Sequence, residues 1–572
     1  MMRIQEWDTD YGKFYDEIDR EHIYKYPYSG LFSNPVVIKK TGEVTESYVY
    51  IPESAVNSMQ GVMILPDEKE DPVEFLEKSG WMEEADEQGI ILITTSYGKD
   101  LETLREIYLD LRNRRHFNVN KAYRYLVGYG KSAADAMRMT VRWPQEVAGV
   151  VCVGEIGVRE DELKEEGSKP SDLPYIPLCQ VPVPVWMVTE QPEMDLIDYW
   201  KNANQSETAP YLRRGITEYH AKQTGIDPLT EHQAGALLWV SGHEDHQGER
   251  FGPKDFYEYF LAKTQRATAI ANGDLNPVRT MEEWGMARRT MVVDGYRREW
   301  YEFIPDENRR YQGPQLPLVV FFHGGSNQAW ANIQTTALVK VAAARGFALA
   351  FPTGTMRRRE QDHAVPHPAW NAGMLKDHMD DFKFVRLMIE DIKCRNPIDP
   401  TRIYSCGHSM GACMGQQAAL VMPDVFAACA VTGGVIKGLD CREGFFGSYR
   451  LPAVKTGYEV PVWIMLGEHD TGGGDLKTNQ RANVNVEYWI KRNGTQEKER
   501  PMEYRSGRYH HRIWQNRAGV PLLDFTTVKD KPHAFTPQDG WLFYDEWFSK
   551  FSRAADGTLY YMGAAVERIN NG

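Results

Sequence analysis

Long apolar runs are absent from this chain of 572 residues, and no stretch approaches the roughly 20 apolar residues that a membrane-spanning helix requires. Basic charge is also in short supply, because 66 Lys and Arg stand against 80 Asp and Glu and leave a net charge of -14. Neutralising phosphates needs a basic surface, so this balance argues against a nucleic-acid partner. We therefore expect neither a membrane nor a nucleic acid among the partners.

Cysteine is scarce and irregularly spaced. The chain has seven cysteines, an odd number with no C-x-x-C pair: Cys152, Cys179, Cys394, Cys406, Cys413, Cys429 and Cys441. This pattern indicates neither a disulfide framework nor a zinc site, and we expect no metal and no cofactor. The first eight residues contain no apolar run of the kind that directs secretion, so we expect a cytoplasmic protein.

One pentapeptide carries the strongest chemical signal in the sequence. Residues 407–411 match G-x-S-x-G, the tight strand-to-helix turn that holds a serine hydroxyl clear of the backbone. Residues 402–406 before it read as a short buried strand, and the small apolar residues 412–420 after it read as a helix packed on a sheet. This context predicts Ser409 as the nucleophile of an α/β-hydrolase fold.

A serine hydroxyl is a poor nucleophile until a base takes its proton and a third group orients that base. In this fold the acid and the histidine follow the serine in chain order. Asp470 lies just past the apolar strand 462–466, at the strand end where catalytic groups gather in parallel sheets. We predict Asp470 as the acid, with Glu468 as the runner-up.

The predicted base is His533, which lies on the loop after the strand 522–528. His510 and His511 also follow the serine, but they lie in a strongly basic stretch, and we expect them to be solvated. The tetrahedral intermediate further needs two backbone donors. We predict the amide of Met410, next to the nucleophile, and that of Gly325, in an H-G-G segment after the apolar strand 316–322.

With these residues identified, the second half of the chain resembles a known branch of the α/β-hydrolases. That branch holds the polyhydroxybutyrate-depolymerase-like esterases, the feruloyl esterases and the acetylxylan esterases of carbohydrate esterase family one. The similarity runs from about Met291 to Arg553, and it also covers the segments 370–371, 381–385, 398–404 and 488–494. It implies a serine esterase that acts through an acyl-enzyme on small acyl, hydroxycinnamoyl or hydroxyalkanoate esters.

Four aromatic residues fall on segments near the predicted site: Trp330, Trp370, Phe535 and Trp541. Together they would form an aromatic acyl pocket suited to hydroxycinnamoyl or other aryl esters. The alternative is that they are ordinary core aromatics. Three other functions stay open with the same residues: acyl transfer to an alcohol, peptide hydrolysis, and a non-catalytic binding or scaffold role.

The first half of the chain repeats the second in the same order. Residues 45–52 parallel 298–305, and residues 88–94 parallel 345–351; three later pairs follow, 183–188 with 462–466, 198–201 with 487–490, and 255–260 with 543–548. Such self-similarity predicts two tandem α/β-hydrolase domains, each a mostly parallel sheet flanked by helices. We expect domains at 1–270 and 291–572, joined by a polar linker at 271–290.

The first half lacks the chemistry of the second. Its segment 123–132 aligns with the predicted elbow strand and places Gly130 where Ser409 stands in the second half. Gly130-Lys131-Ser132 also suggests a phosphate loop, but that motif needs a glycine five residues before Gly130, and Tyr125 is there. We therefore predict that the first half is a folded pseudo-hydrolase.

Overall fold

The computed structural model of the chain describes residues 2–7, 19–26, 28–56, 60–113, 115–170, 176–222, 235–267, 274–305, 315–325, 327–357, 367–370, 379–436, 455–470, 472–495 and 500–567. The chain divides into two compact units. The first is built on Tyr24–Val278 and the second on Arg279–Asp362 and His367–Gly572.

The first unit contains fifteen described strands and six described α-helices. The strands are β1 (Ile4–Gln5), β2 (Gly30–Ser33), β3 (Val36–Val37), β4 (Val44–Thr45), β5 (Tyr48–Ile51), β6 (Gly61–Leu65), β7 (Ile91–Thr94), β8 (Arg124–Tyr129), β9 (Val150–Val153), β10 (Val185–Val188), β11 (Tyr211–Arg213), β12 (Ile216–His220), β13 (Leu237–Ser241), β14 (Thr264–Ala267) and β15 (Asp274–Pro277). The helices are α1 (Pro72–Lys78), α2 (Trp81–Gln88), α3 (Leu101–Leu109), α4 (Ser132–Arg142), α5 (Glu160–Gly167) and α6 (Met194–Ala203).

The described part of the second unit also contains fifteen strands and six α-helices. Its strands are β16 (Met286–Val293), β17 (Tyr296–Phe303), β18 (Leu316–Phe322), β19 (Ala348–Pro352), β20 (Thr355–Arg357), β21 (His367–Ala369), β22 (Ile398–His408), β23 (Ala428–Thr432), β24 (Val462–Gly467), β25 (Met502–Ser506), β26 (Tyr509–Gln515), β27 (Pro521–Val528), β28 (Phe551–Arg553), β29 (Leu559–Tyr561) and β30 (Ala564–Ala565). Its helices are α7 (Ala329–Thr336), α8 (Leu338–Arg345), α9 (Asp381–Arg395), α10 (Met410–Val421), α11 (Gln480–Arg492) and α12 (Pro537–Glu546).

Each unit has one large sheet, and the two sheets share the order of ten strands. The first sheet runs β1-β2-β5-β7-β6-β8-β9-β10-β13-β12-β11, and the second runs β16-β17-β19-β18-β22-β23-β24-β27-β26-β25. The six central strands of each sheet are parallel to one another. The strands that flank them on both sides pair in antiparallel fashion, except that β1 is parallel to β2 at the edge of the first sheet. This confirms the α/β fold with two sheet-bearing halves.

The sequence of the central strands explains why they lie in the middle of a sheet covered on both faces. Every residue of β18 and of β24 is buried, as is every residue of β7, β9 and β10. Parallel strands between two helical layers have no solvent-facing side, so they read as continuous apolar runs rather than as alternating ones. In the second unit the resulting core has one cluster on each face of the sheet.

Buried polar contacts repeat between the units along with the strand order. The Asn204 side chain bonds the backbone N–H and carbonyl of Val183, and the Asn493 side chain does the same with Val460. The indole of Trp186 donates to Ser241 Oγ at 3.0 Å, and that of Trp463 donates to Thr526 Oγ1 at 2.9 Å. Buried polar groups must be paired, so these contacts are part of what both units need in order to fold.

The segment 271–290, expected to be a linker, is largely structured where it is described. Asp274–Pro277 pairs with Thr264–Ala267, and Met286–Val293 is the edge strand of the second sheet. The division between the units falls between Val278 and Arg279. The polar, turn-rich composition of this segment suits a linker, yet the paired strands are largely buried, with Gln265, Arg266 and Leu275 fully so.

A buried carboxylate on α2 gives the first unit a pH-dependent stability. Burial, with Glu258 and Glu87 nearby, raises the pKa of Glu84 from 4.5 to about 7, and only 4% of the residue is exposed. In the unfolded chain this group ionises near 4.5, so stability falls as the pH rises from that value through 7. The full loss, about 3 kcal/mol, is present above both pKa values.

Glu84→Gln removes the ionisable group while keeping its shape, and we expect it to raise the midpoint of thermal unfolding at pH 8 but not at pH 4. The measurement is the pH dependence of unfolding by calorimetry. Glu83→Gln, at an exposed position of the same helix, is the matched control and should change neither value. Equal effects of Glu84→Gln at both pH values would contradict this account.

Among the residues that the structure describes, no helix has both the length and the apolar composition needed to cross a membrane.

Candidate active site

The turn at Ser409 has the backbone geometry that the pentapeptide predicts. Ser409 lies between the end of β22 and the start of α10, with φ 57° and ψ -118°. A non-glycine residue with positive φ is uncommon and marks a position that the surrounding structure holds in place. Its amide donates to the carbonyl of Thr432 at 3.0 Å, which ties the turn to the neighbouring strand β23.

The two glycines of the motif are required by close backbone contacts. A Cβ atom on Gly407 would lie 2.3 Å from the carbonyl oxygen of Gly411. A Cβ atom on Gly411 would lie 1.9 Å from the carbonyl oxygen of Phe322, in the neighbouring strand β18. These distances are far below the van der Waals separation of carbon and oxygen, so a Cβ at either position would push the two backbone segments apart. Only glycine at both positions therefore allows α10 to start this close to the sheet.

The three residues predicted to act together are joined by hydrogen bonds. His533 Nε2 lies 2.9 Å from Ser409 Oγ, and His533 Nδ1 is bonded to Asp470 Oδ1. Asp470 is buried, whereas the His533 side chain is 40% exposed. A carboxylate has no proton to donate, so the bond to Asp470 fixes the imidazole tautomer with the proton on Nδ1. Nε2 is then left to accept from the serine hydroxyl.

The competing candidates lie elsewhere. Glu468 is exposed, and its carboxylate accepts from the amide of Asp530 at 3.1 Å rather than from His533. His510 bonds Glu503 at 3.1 Å on an edge hairpin. The expectation that His511 is solvated is wrong. It is 6% exposed and bonds Asp524 at 2.9 Å.

Its position in strand β26 accounts for that burial. His511 pairs with Thr526 across the ladder, and its ring stacks on Tyr504 with centroids 4.5 Å apart. Burial raises the pKa of its partner Asp524, while the hydrogen bonds from His511 and Thr526 oppose that shift. Arg505 and Arg508 are exposed and Arg512 is half-buried, whereas the alternation of the strand turns His511 inward.

The H-G-G segment packs directly against the turn. A Cβ on Gly324 would lie 3.3 Å from the Cβ of Ser409, and a Cβ on Gly325 would lie 3.2 Å from Cε of Met410. His323 is fully buried and braces this segment from behind. Its Nε2 accepts from the amide of Gly354 at 2.9 Å, so its Nδ1 carries the proton and donates to the carbonyl of Gly324 at 2.7 Å.

The four predicted pocket aromatics do not assemble one pocket. The ring of Trp370 is fully buried, donates to the carbonyl of His323 at 2.8 Å, and packs on one face of the sheet. Phe535 is buried on the other face, where it meets Phe321 edge-on with centroids 5.0 Å apart. Both rings therefore pack in the core of the unit, and their role as substrate contacts stays a prediction.

The two remaining aromatics differ from each other. Trp541 lies on α12, packs against the same core cluster as Phe535, and has the Arg345 guanidinium 4.4 Å from its ring centroid. Trp541 is only half-buried, and its role as a substrate contact also stays a prediction. Trp330 is half-buried in the first turn of α7 and stays a predicted substrate contact.

Sequence reasoning missed the residues that hold the His533 loop. Lys531 and Asp539 are both fully buried and form an ion pair at 2.5 Å between this loop and α12. The Asp539 carboxylate also accepts from the amide of Thr536 at 2.7 Å, completing a capping box. A T-x-x-D signature is visible in the sequence, but its link to a buried lysine two residues before His533 is not.

Two further groups of side chains have metal-ligand character among the described residues. Glu468, His469 and Asp530 bring three ligand atoms within 4.8 Å of one another, and all three are exposed; in the first unit, Glu84, Glu87 and Glu258 do the same. Lys254 Nζ already lies 3.5 Å from Glu258. Neither group includes Ser409, His533 or Asp470.

Comparison with known proteins finds similarity to esterases in the second unit. Residues 311–442 match the model of the family described as esterase PHB depolymerase. This segment includes the H-G-G loop and the Ser409 turn. It ends before Asp470 and His533.

Curated relatives match shorter stretches. The chain is 35% identical over 116 residues to feruloyl esterase B of Piromyces equi, covering 20% of each chain. It is 27% identical over 172 residues to poly(3-hydroxyalkanoate) depolymerase C of Paucimonas lemoignei, covering 27% of this chain and 40% of that one. The chain therefore spans between one fifth and two fifths of the length of these relatives.

Among solved structures, the chain is similar to an acetyl xylan esterase from Aspergillus awamori, at 16% identity and a TM-score of 0.35. The match covers 46% of this chain and 99% of that one. An S-formylglutathione hydrolase from Agrobacterium tumefaciens matches at 13% identity and a TM-score of 0.32, covering 46% of this chain and 95% of that one.

Proposed function

We propose that this protein is a serine carboxylic-ester hydrolase whose catalytic residues are Ser409, His533 and Asp470. The observation that carries the proposal is the continuous hydrogen-bonded relay from Ser409 Oγ through His533 to the buried Asp470. Those residues come from three separate loops at the carboxyl ends of parallel strands, as the chemistry of this fold requires. The family match over residues 311–442 supports the esterase assignment.

The geometry accounts for each proton in the first half of the reaction. As Ser409 Oγ attacks the ester carbonyl carbon, His533 Nε2 takes its proton, and Asp470 stabilises the imidazolium that forms. The carbonyl oxygen becomes an oxyanion, for which we propose the amides of Met410 and Gly325 as donors. His533 then gives its proton to the departing alcohol oxygen, and an acyl-Ser409 ester remains.

Hydrolysis of the acyl-enzyme uses the same groups with water as the nucleophile. His533 Nε2 takes a proton from the water, the oxyanion forms again, and the proton returns to Ser409 Oγ as the acid leaves. The start of α10 at Met410 adds its dipole, because a helix N-terminus favours the negative charge that develops beside it. No group beyond those named is needed to balance either step.

The acyl class is proposed as small acyl, hydroxycinnamoyl or hydroxyalkanoate esters. Relatives described as a feruloyl esterase and a poly(3-hydroxyalkanoate) depolymerase support the last two. The burial of Trp370 and Phe535 removes the argument that four aromatic side chains select an aryl acyl group. We therefore give no preference to hydroxycinnamoyl esters over the aliphatic ones.

A panel of p-nitrophenyl esters with acetyl, butyryl, 3-hydroxybutyryl and feruloyl groups tests this proposal, together with a fluorophosphonate probe. We expect ester hydrolysis and labelling of Ser409 alone, mapped by peptide mass spectrometry. Added methanol separates acyl transfer from hydrolysis by the product formed, and the matching anilides test for peptidase activity. Labelling of any other serine, or the absence of turnover on every ester, would reject it.

Asp470→Asn is expected to lower the turnover of the best ester by about 10⁴-fold, because the amide favours the wrong imidazole tautomer. The matched control is Glu468→Gln, two residues away on the same loop. Its side chain bonds the amide of Asp530 and not His533, so its turnover should stay near that of the unmodified protein. A greater loss in Glu468→Gln than in Asp470→Asn would mean that the acid is misassigned.

A further inference from the structure

The registers of the two sheets align the first unit with the Ser409 turn residue by residue. Leu65 pairs with Gly128 in the first sheet, and Phe322 pairs with Gly407 in the second. Counting forward from these pairs, Gly130 and Lys131 correspond to Ser409 and Met410. By the same count, Asp67 and Glu68 correspond to Gly324 and Gly325.

The first unit has kept the backbone of the turn. Gly130 has φ 53°, close to the 57° of Ser409. Its amide donates to Val153 at 2.8 Å, as that of Ser409 donates to Thr432 at 3.0 Å. A Cβ on Gly128 would lie 2.5 Å from the carbonyl oxygen of Ser132, which matches the close approach at Gly407. The strand-to-helix turn is thus intact without its nucleophile.

A carboxylate lies on the two amides that correspond to the proposed oxyanion donors. Asp67 Oδ1 accepts hydrogen bonds from two backbone amides, those of Lys131 and of Glu68, each at 2.8 Å. In the second unit the equivalent amides belong to Met410 and Gly325. Two N–H groups that converge on one oxygen are the arrangement that stabilises an oxyanion.

At these two paired positions, each unit has one glycine and one residue with a side chain, but the order is reversed between the units. In the second unit position 324 is glycine, and the side chain stands on the turn, at Ser409. In the first unit the turn residue is Gly130, and the side chain stands on the loop, at Asp67. A Cβ on Gly130 would lie 2.1 Å from Cγ of Asp67, so the two side chains exclude each other. The Asp67 side chain would have to move to make room for that Cβ.

We propose that the first unit retains an oxyanion-type anion site and that the Asp67 carboxylate is its built-in occupant. The carboxylate holds the space and the two donors that the carbonyl oxygen of an ester would need. This closes the first unit to ester chemistry independently of the missing serine. The inference goes beyond the proposed esterase function: the contacts of Asp67 lie within the first unit, and only their likeness to an oxyanion site rests on the donors proposed for the second unit.

Chemical rescue tests the occupancy directly. Asp67→Gly reproduces the glycine of the second unit and removes the atoms of one acetate ion. In the full chain carrying Ser409→Ala, we expect it to lower the unfolding midpoint of the first unit by about 5 °C, because two charge-assisted hydrogen bonds are lost. Acetate at constant ionic strength should restore the midpoint with saturation, whereas acetamide, its neutral analogue, should not.

Asp71→Gly is the matched control. The Asp71 carboxylate also accepts from two amides, those of Val73 and Glu74, but it does so as the N-cap of α1 and not at the turn that corresponds to Ser409. Acetate should raise the midpoint of Asp67→Gly and leave that of Asp71→Gly where chloride leaves it. An equal response of the two variants to acetate, or no loss of stability in Asp67→Gly, would overturn the proposal.

A double-mutant cycle measures the exclusion between the two positions. Gly130→Ala should destabilise the unmodified first unit more than it destabilises the Asp67→Gly variant, because only the backbone strain at positive φ remains once the carboxylate is gone. We expect the drop in midpoint to be at least twofold larger with Asp67 present. Additive effects of the two substitutions would show that Asp67 does not occupy the space beside Gly130.

Discussion

Ser409→Ala is expected to lower ester turnover by about 10⁶-fold while leaving the fold intact. The reason is that the acyl-enzyme cannot form, so only substrate binding and oxyanion stabilisation are left to accelerate attack by water. Removing Oγ from a residue held by its backbone at φ 57° should not disturb the turn. The measurement is kcat on the best p-nitrophenyl ester, with circular dichroism as the check on folding.

Ser132→Ala is the matched control, since Ser132 is the serine next to the equivalent turn of the first unit. Its hydroxyl is buried and donates to the carbonyl of Pro66 at 2.6 Å. We expect Ser132→Ala to keep full turnover and full labelling by the fluorophosphonate. Turnover in Ser409→Ala within tenfold of the unmodified protein would refute Ser409 as the nucleophile.

His533→Ala is expected to match Ser409→Ala in its loss of turnover, because nucleophile and base act as a unit. The double variant should therefore be no slower than either single one. Fluorophosphonate labelling of Ser409 should also slow in His533→Ala, since the probe needs the same deprotonated oxygen. This second readout separates loss of the base from loss of substrate binding.

His510→Ala serves as the control for the base. His510 is half-buried on an edge hairpin and bonds Glu503, away from the relay. Its removal should leave both turnover and labelling unchanged. If His510→Ala proved as damaging as His533→Ala, the relay seen between Ser409, His533 and Asp470 would not be the catalytic one.

The fold was predictable to a large extent because its strongest signals are local. Short continuous apolar runs such as β18 and β24 are typical of central strands in a covered parallel sheet, and G-x-S-x-G predicts the strand-to-helix turn between them. The repeat between the halves was also visible in the sequence. The end of the first repeat could not be placed from the sequence, because the strand Asp274–Pro277 has the composition of a linker.

Chain order and strand ends predicted the members of the relay, because the loops at one edge of a parallel sheet bring distant residues together. Side-chain direction was less predictable. Trp370 was assigned to the substrate from its position near the site, yet its indole supports the carbonyl of His323. Likewise, the direction in which His511 points depends on strand register, which a basic local composition does not reveal.

The contact between Gly130 and Asp67 has a consequence for how this duplicated chain can change over evolutionary time. A serine restored at position 130 would meet the Asp67 carboxylate, and a glycine restored at position 67 would leave two amides without an acceptor. Each single step back toward a working site therefore meets its own barrier. On the proposal that the Asp67 carboxylate fills the space beside Gly130, a working site in the first unit needs two coordinated substitutions rather than one.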